Sequence, residues 1–255
     1  LMLGRLYVKW GMDDNTDFQP LSPRDYPVLS DLYDVIEEAY RNYDSEEYPL
    51  YPRELLQEVL LGLHSMCRGA ESKFFNGHTN ITTSRFLVFG VKGLLQASRN
   101  VKNALLFNVL SYLSDKLLTE GNTVAALDEL YIWLSDNVAV GTTIIEYIRN
   151  CLKRVRKKES AMLLASQNLE DFNQEGIREL TKPLFAIPPH QFLFNAGAVD
   201  KKFYMEALQL EESEYNLIRF PQRGVCLYRC GNERYLLEVH APPYKEKLFG
   251  KAGGR

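Results

Sequence analysis

Asn122-Thr-Val-Ala-Ala-Leu-Asp-Glu-Leu-Tyr-Ile-Trp133 is the stretch on which the reading of this chain turns. Five small or apolar residues, Thr123 to Leu127, lead straight into the adjacent carboxylates Asp128 and Glu129, as a buried parallel strand does when it presents acids at its C-terminal end. Acids so placed have the form of a Walker B segment, in which the first helps hold Mg²⁺ and the second polarises an attacking water. The same residues equally suit a strand that ends in two solvated acids, where Asp and Glu cap the next helix. The choice between the two rests on the flanking chain.

On the C-terminal side, a helix is expected over residues 142–157 and a second buried strand over 161–165. On the N-terminal side, Gly121 stops a long helix over 93–119, and the nearly all-apolar run 85–91 reads as a strand covered on both faces. Strand, helix, strand, helix, strand is the rhythm of an α/β unit with parallel strands. Beyond Gln167 the pattern predicts a short helix near 174–181, a strand at 192–195 and helical pieces at 200–208 and 211–217. The runs 225–229 and 234–240 around Gly231-Asn232-Glu233 read as a terminal β-hairpin, ended by Pro242-Pro243. The last residues, 251–255, are expected to fray.

The first part of the chain is different in character. Residues 1–11 read as the tail of a helix ending at a glycine, followed by a polar turn over 12–20. From Pro27, apolar residues recur at helical spacing (Leu29, Leu32, Val35, Ile36, Ala39), with Glu37 and Glu38 on the outer face. After a Tyr/Glu/Pro-rich turn, Leu55, Leu56, Val59, Leu60 and Leu63 repeat that pattern up to Gly69. Asn76-Gly77 is a strong turn dipeptide where the character changes. The expected organisation is an all-helical lobe over residues 1–83 and an α/β portion over 84–255.

Composition narrows the class without naming it. A chain of 255 residues with 45% hydrophobic content can bury one substantial core, or one core plus a lobe. A formal charge of -3 argues against a surface devoted to nucleic acid. No run approaches the roughly 18 uncharged apolar residues of a membrane span, and the first residues do not resemble a signal peptide. Cys67, Cys151, Cys226 and Cys230 are scattered and read as structural thiols in a reducing compartment, and the four histidines lack metal-ligand spacing. Asp13, Asn15 and Asp17 imitate the start of a calcium loop, but Phe18 and Arg24 stand where such a loop needs Gly and Glu. A solvated turn is the expectation there.

Three further features take on meaning beside the acids. The helix before the second core strand ends in Lys153-Arg-Val-Arg-Lys-Lys158, and the strand itself ends in Ser166-Gln167. An amide at that strand tip can hydrogen-bond a γ-phosphate or the attacking water, and it can equally cap a following helix. The cations have an ordinary explanation too, since a helix C-terminus favours positive charge.

Taken together, Asp128-Glu129-Leu130, the Ile-Glu-Tyr-Ile-Arg-Asn run at 145–150, Arg156-Lys157 placed eleven positions before Gln167, and Ser-Gln-Asn-Leu-Glu-Asp-Phe at 166–172 resemble the VirB-four/TraC/TraE class. These are the cytoplasmic ATPases of bacterial type IV secretion and of conjugation, carried by conjugative elements. Tyr26-Pro-Val-Leu-Ser-Asp-Leu-Tyr33 and Phe75-Asn-Gly-His-Thr-Asn80 resemble stretches such proteins carry within the motor domain. The resemblance covers essentially the whole chain and is sharpest from Asp128 to Phe172.

The resemblance implies a partial RecA-like P-loop NTPase core, a mostly parallel sheet flanked by helices, with an inserted helical lobe and a C-terminal β-hairpin. It implies ATP and Mg²⁺ as cofactors, Asp128 and Glu129 as Walker B acids with Asp128 on the metal through water, and Gln167 as sensor. Arg156 matches an arginine that reaches a neighbouring subunit's nucleotide, with Arg154 as the fallback. The implied setting is a homo-oligomer, a hexamer, on the cytoplasmic side of the inner membrane, associated with it through other secretion subunits. One departure is large: no Gly-x-x-x-x-Gly-Lys-Ser/Thr occurs, so the backbone cradle for phosphates is missing. The expectation is therefore the C-terminal part of a longer motor, inactive by itself. The alternatives are a non-hydrolysing assembly scaffold and a DNA-pumping motor of the coupling-protein type.

Overall fold

The computed structural model describes residues 1–81, 84–133, 138–167, 169–173, 178–197 and 199–250. It divides into two compact units, Leu1–Val88 and Phe89–Arg255.

The first unit is helical: α1 (Met2–Lys9), α2 (Leu29–Arg41), α3 (Arg53–Cys67) and the single turn α4 (Ser72–Phe75). The apolar stripe of α2 buries Tyr33, Ile36 and Ala39 against Leu56, Leu60 and Cys67 of α3. Asp31 Oδ2 accepts the Val28 backbone N–H at 2.7 Å and so closes the first turn of α2. Asn76 ties the helices together, because its Oδ1 accepts from Ser30 N at 2.8 Å and its Nδ2 donates to Cys67 O at 3.3 Å. The two stretches that carry the family resemblance in this unit therefore meet through one amide. The acidic segment is a pair of side-chain turns, Asn15 N to Asp13 Oδ1 at 2.9 Å and Gln19 N to Asp17 Oδ1 at 3.0 Å.

The expected strand over 85–91 does not form. These residues are irregular, with Phe86 83% and Val88 72% exposed. β-propensity stabilises a strand only against a neighbour that completes its ladder, and none lies beside this run among the described residues. Phe89, which instead belongs to the second unit, packs edge-to-face on Tyr112 with ring centroids 5.6 Å apart.

The long helix expected over 93–119 is broken into three pieces. A 3₁₀ stretch Lys92–Gln96 precedes α5 (Arg99–Asp115), and a π turn Lys116–Glu120 ends it. Gly121 N closes the π turn on Lys116 O at 3.0 Å. Only glycine fits at 121: φ is +77°, and a Cβ there would lie 2.7 Å from Lys158 O. That close approach brings the two following strands together.

Those strands are β1 (Val124–Leu127) and, after α6 (Val138–Arg154) and a 3₁₀ turn Val155–Lys158, β2 (Ala161–Leu164). They pair parallel, Val124 with Ala161 through Leu127 with Leu164. The crossover helix is the reason parallel pairing is possible. Both strands were expected buried, yet the pair is covered on one face only. Ala125 and Leu127 are 4% exposed, whereas Val124 is 67% and Leu163 61% exposed. The covered face lies on a core of Leu106, Leu110, Ile144, Ile145, Ile148 and Phe172.

The remaining elements build a second sheet. The helix expected near 174–181 is α7 (Arg178–Ala186), and positions 174–177 lie outside the described residues. The strand expected at 192–195 is β3 (His190–Leu193); it is antiparallel to β4 (Val225–Cys230), which forms a hairpin with β5 (Glu233–Glu238). The sheet character is thus mixed, a parallel pair plus an antiparallel three-stranded sheet. Between β3 and β4 come α8 (Lys201–Leu208) and α9 (Glu212–Ile218). Asp200 caps α8 by accepting Phe203 N at 2.8 Å. A last helix, α10 (Pro243–Phe249), was not expected; Pro243 at its first position was the available signal. The expected fraying of 251–255 falls outside the described residues. Among the described residues no helix is long and apolar enough to cross a membrane, and Cys67, Cys151 and Cys226 are buried free thiols.

One core group makes stability depend on pH. Tyr204 is 4% exposed, its hydroxyl donates to Phe194 O at 2.8 Å, and burial pushes its pKa up to about 12. A folded-state pKa above the unfolded one gives stability that is full below the unfolded value near 10 and lost as pH climbs through about 12. The loss is of order 2–3 kcal/mol. Tyr204→Phe should lose the neutral hydrogen bond, about 1 kcal/mol, and abolish this part of the alkaline decline. Urea midpoints of both proteins at about pH 9 and about pH 11.5 check it, through the difference between them.

Candidate functional site

The acids sit where β1 stops. Leu130 N donates to Ala165 O at 2.8 Å and Ala165 N to Leu127 O at 2.9 Å, so the parallel pair extends one rung past its last strand residues and fixes both tips. The chain leaves the sheet through Glu129, which has φ +49°, and enters the 3₁₀ turn Leu130–Trp133. A left-handed Glu costs on the order of 1 kcal/mol or more, and such residues persist where packing overdetermines them. Here Leu130 and Trp133, at 4% and 3% exposure, supply that packing. Asp128 Oδ1 accepts Glu129 N at 2.9 Å, a local bond at the turn.

Gln167 reaches the acids from the tip of β2. Its Nε2 donates to Glu129 Oε1 at 2.5 Å. A carboxylate only accepts, so the amide nitrogen must face it. Glu129 Oε2 is buried and has no hydrogen-bond partner among the described residues. An orphaned buried carboxylate oxygen is an open acceptor, able to take a proton or a donor from whatever enters beside it. Asp128 is exposed at the same edge. This donor set suits a magnesium-bound nucleotide: two acids that need a cation and donors, and an amide oriented by one of them.

Arg156 is not part of this cluster. It lies in the 3₁₀ turn Val155–Lys158, ahead of β2, where Lys158 O accepts Asn122 N at 2.9 Å. In a parallel pair that is the end opposite the acids, and four paired residues at about 3.3 Å each separate the two ends by roughly 10–13 Å. Arg154 and Arg156 are exposed, and no acid pairs with either among the described residues. Of the four residues singled out in the sequence, the structure brings Asp128, Glu129 and Gln167 together and sets Arg156 apart. The sequence did not reveal the Leu130–Ala165 bridge, because backbone pairing leaves no residue signature.

A parallel strand pair joined by a crossover helix, together with an antiparallel three-stranded sheet, is consistent with a partial α/β nucleoside-triphosphatase fold. The chain is VirB4-like within that class: the solved structure of VirB4 of Thermoanaerobacter pseudethanolicus matches it with a TM-score of 0.78 and 25% sequence identity over 96% of this chain. The fold is that of VirB4. The chain spans 63% of the length of that VirB4 structure. No protein-family model matches the sequence, and no curated protein matches it.

Proposed function

We propose that the protein is a motor ATPase of type IV secretion and that Asp128, Glu129 and Gln167 form the hydrolytic edge of its nucleotide site. The carrying observation is the Gln167 Nε2 to Glu129 Oε1 bond of 2.5 Å beside the orphaned Glu129 Oε2, in a chain with the fold of VirB4. Mg²⁺, when bound, would neutralise phosphate charge, and Asp128 would hold it through water. Glu129 orients the attacking water and accepts its proton at Oε2. Gln167 holds Glu129 Oε1 and keeps the carboxylate plane fixed, so that Oε2 faces the water.

On this reading the phosphate cradle, which these 255 residues do not contain, is supplied in the full-length protein, and the chain alone turns over little or no ATP. Mg²⁺-dependent hydrolysis by the full-length protein, lost in Glu129→Gln, tests the assignment. Turnover unaffected by that change overturns it.

Arg156 serves the same chemistry from outside. Lying at the opposite end of the parallel pair, it acts on the nucleotide of a neighbouring subunit in a homo-oligomeric ring, a hexamer, as a planar cation on the transferring phosphoryl group. Arg156→Ala is expected to lower kcat by about 10³–10⁵. Mixing Arg156→Ala subunits with Glu129→Gln subunits should recover turnover above that of either variant alone, because some interfaces then carry both intact groups. Turnover that never exceeds the more active parent, at confirmed mixed assembly, excludes action of Arg156 across the interface. The machine sits at the cytoplasmic side of the inner membrane with other secretion subunits as partners.

A further inference from the structure

A second site lies away from the acids, within the α/β unit. A cavity of about 650 Å³ opens between α7, α8 and β4, and none of Asp128, Glu129 or Gln167 lines it. That volume is within the range of pockets that enclose small organic ligands, about 300–1,000 Å³. Its lining includes Phe172 and Phe185, in edge-to-face contact at 5.3 Å, and Phe203, whose ring lies under the Arg178 guanidinium at 5.8 Å.

Its rim carries four cations, Lys153, Arg178, Lys182 and Arg229, against one acid, Glu206. Arg178 lies 3.6 Å from Glu206, and Lys182 lies 2.6 Å from Glu179. Lys153 and Arg229 have no carboxylate at ion-pair distance among the described residues. Arg229 donates to Leu208 O and is partly buried, and burial lowers its pKa, with Arg234 adding repulsion. Glu214, the acid in electrostatic reach of Arg229, is itself paired with Arg234 at 2.9 Å. A guanidinium that makes no ion pair of its own beside an apolar lining favours an anion that brings its own apolar surface.

We propose that this cavity is a binding site for a small organic anion, an aromatic or acyl body bearing a phosphate or a carboxylate. The body covers the phenylalanine rings, and the anionic group meets Arg229 and Lys153. The four cations come from positions 153 to 229, so no local motif announces the site. Because it shares no residue with the acidic edge, it stands or falls independently of the hydrolytic reading.

The test uses the amphipathic anion anilinonaphthalene sulfonate and its neutral analogue N-phenylnaphthylamine as fluorescent probes. One saturable site for the anion is expected. Lys153→Met and Arg229→Met should each weaken it about tenfold while shifting the neutral probe less than about twofold, the signature of one lost charge-assisted contact. Phenyl phosphate and benzoate should displace the anion, and the more effective of the two identifies the natural head group. Leu163→Ser, on the exposed sheet face, should leave anion binding unchanged. Lys153 is exposed, so its variant keeps the test valid even where Arg229→Met disturbs folding. Wild-type anion affinity in folded Lys153→Met, displacement by neither competitor, or loss of binding in Leu163→Ser overturns the proposal.

Discussion

Glu129→Gln in the full-length protein should lower ATP hydrolysis by about 10²–10⁴-fold, the usual worth of a positioned proton acceptor, with nucleotide affinity nearly unchanged. The size follows from what the substitution removes. The introduced amide keeps the length of the side chain and a carbonyl oxygen that can still accept from Gln167 Nε2, so the 2.5 Å contact has a neutral counterpart. What disappears is the charge, and with it the ability of the buried, unpartnered Oε2 to take a proton. The backbone at φ +49° should persist, because Leu130 and Trp133 hold it by packing rather than by charge. Equal unfolding midpoints, equal nucleotide affinity and a collapsed kcat are the expected set. A kcat that falls only together with affinity would mean that Glu129 binds nucleotide and does not assist hydrolysis.

Phe172→Ala should have the largest effect on stability, about 3–5 kcal/mol. Phe172 is 1% exposed, stands edge-to-face to Phe185 at 5.3 Å and belongs to the cluster of Ile144, Ile145, Ile148 and Leu184 that supports β1 and α6. Truncation removes the transfer energy of the ring and leaves a void in a core that α6 cannot refill without moving. Gln167, five positions earlier in the same run, is exposed, and its truncation to Ala should change stability by only about 0.5 kcal/mol. Denaturant unfolding of both variants separates the two roles. Comparable losses would contradict the division of this run into a tip that faces solvent and an anchor that faces the core.

The parts of the fold legible in the sequence were those whose signal is local and periodic. Leu32, Ile36 and Ala39 recur at helical spacing, and α2 lies where they put it. Small apolar residues followed by two acids marked β1, and Gly231 between two apolar runs marked the hairpin of β4 and β5. The misplaced element, 85–91, has the composition of a strand and has no partner strand among the described residues, and composition carries no information about partners. The exposed face of the parallel pair escaped the reading for a related reason. Val124 and Leu163 are as apolar as Leu127, so only their alternation within a fixed pleat says which way each points.

At the candidate site the division is the same. The sequence by itself determined which chemistry is available, namely two adjacent acids, an amide and an arginine, because residue types and short spacings are written in the chain. Tertiary structure alone decided the grouping. Parallel pairing in register brings Gln167 onto Glu129 across 38 positions and sends Arg156 to the far end of the same two strands. Strand direction is the physical reason: two parallel strands put their C-terminal ends on one side and their N-terminal ends on the other, and neither pairing nor direction can be read from the residues of one strand alone.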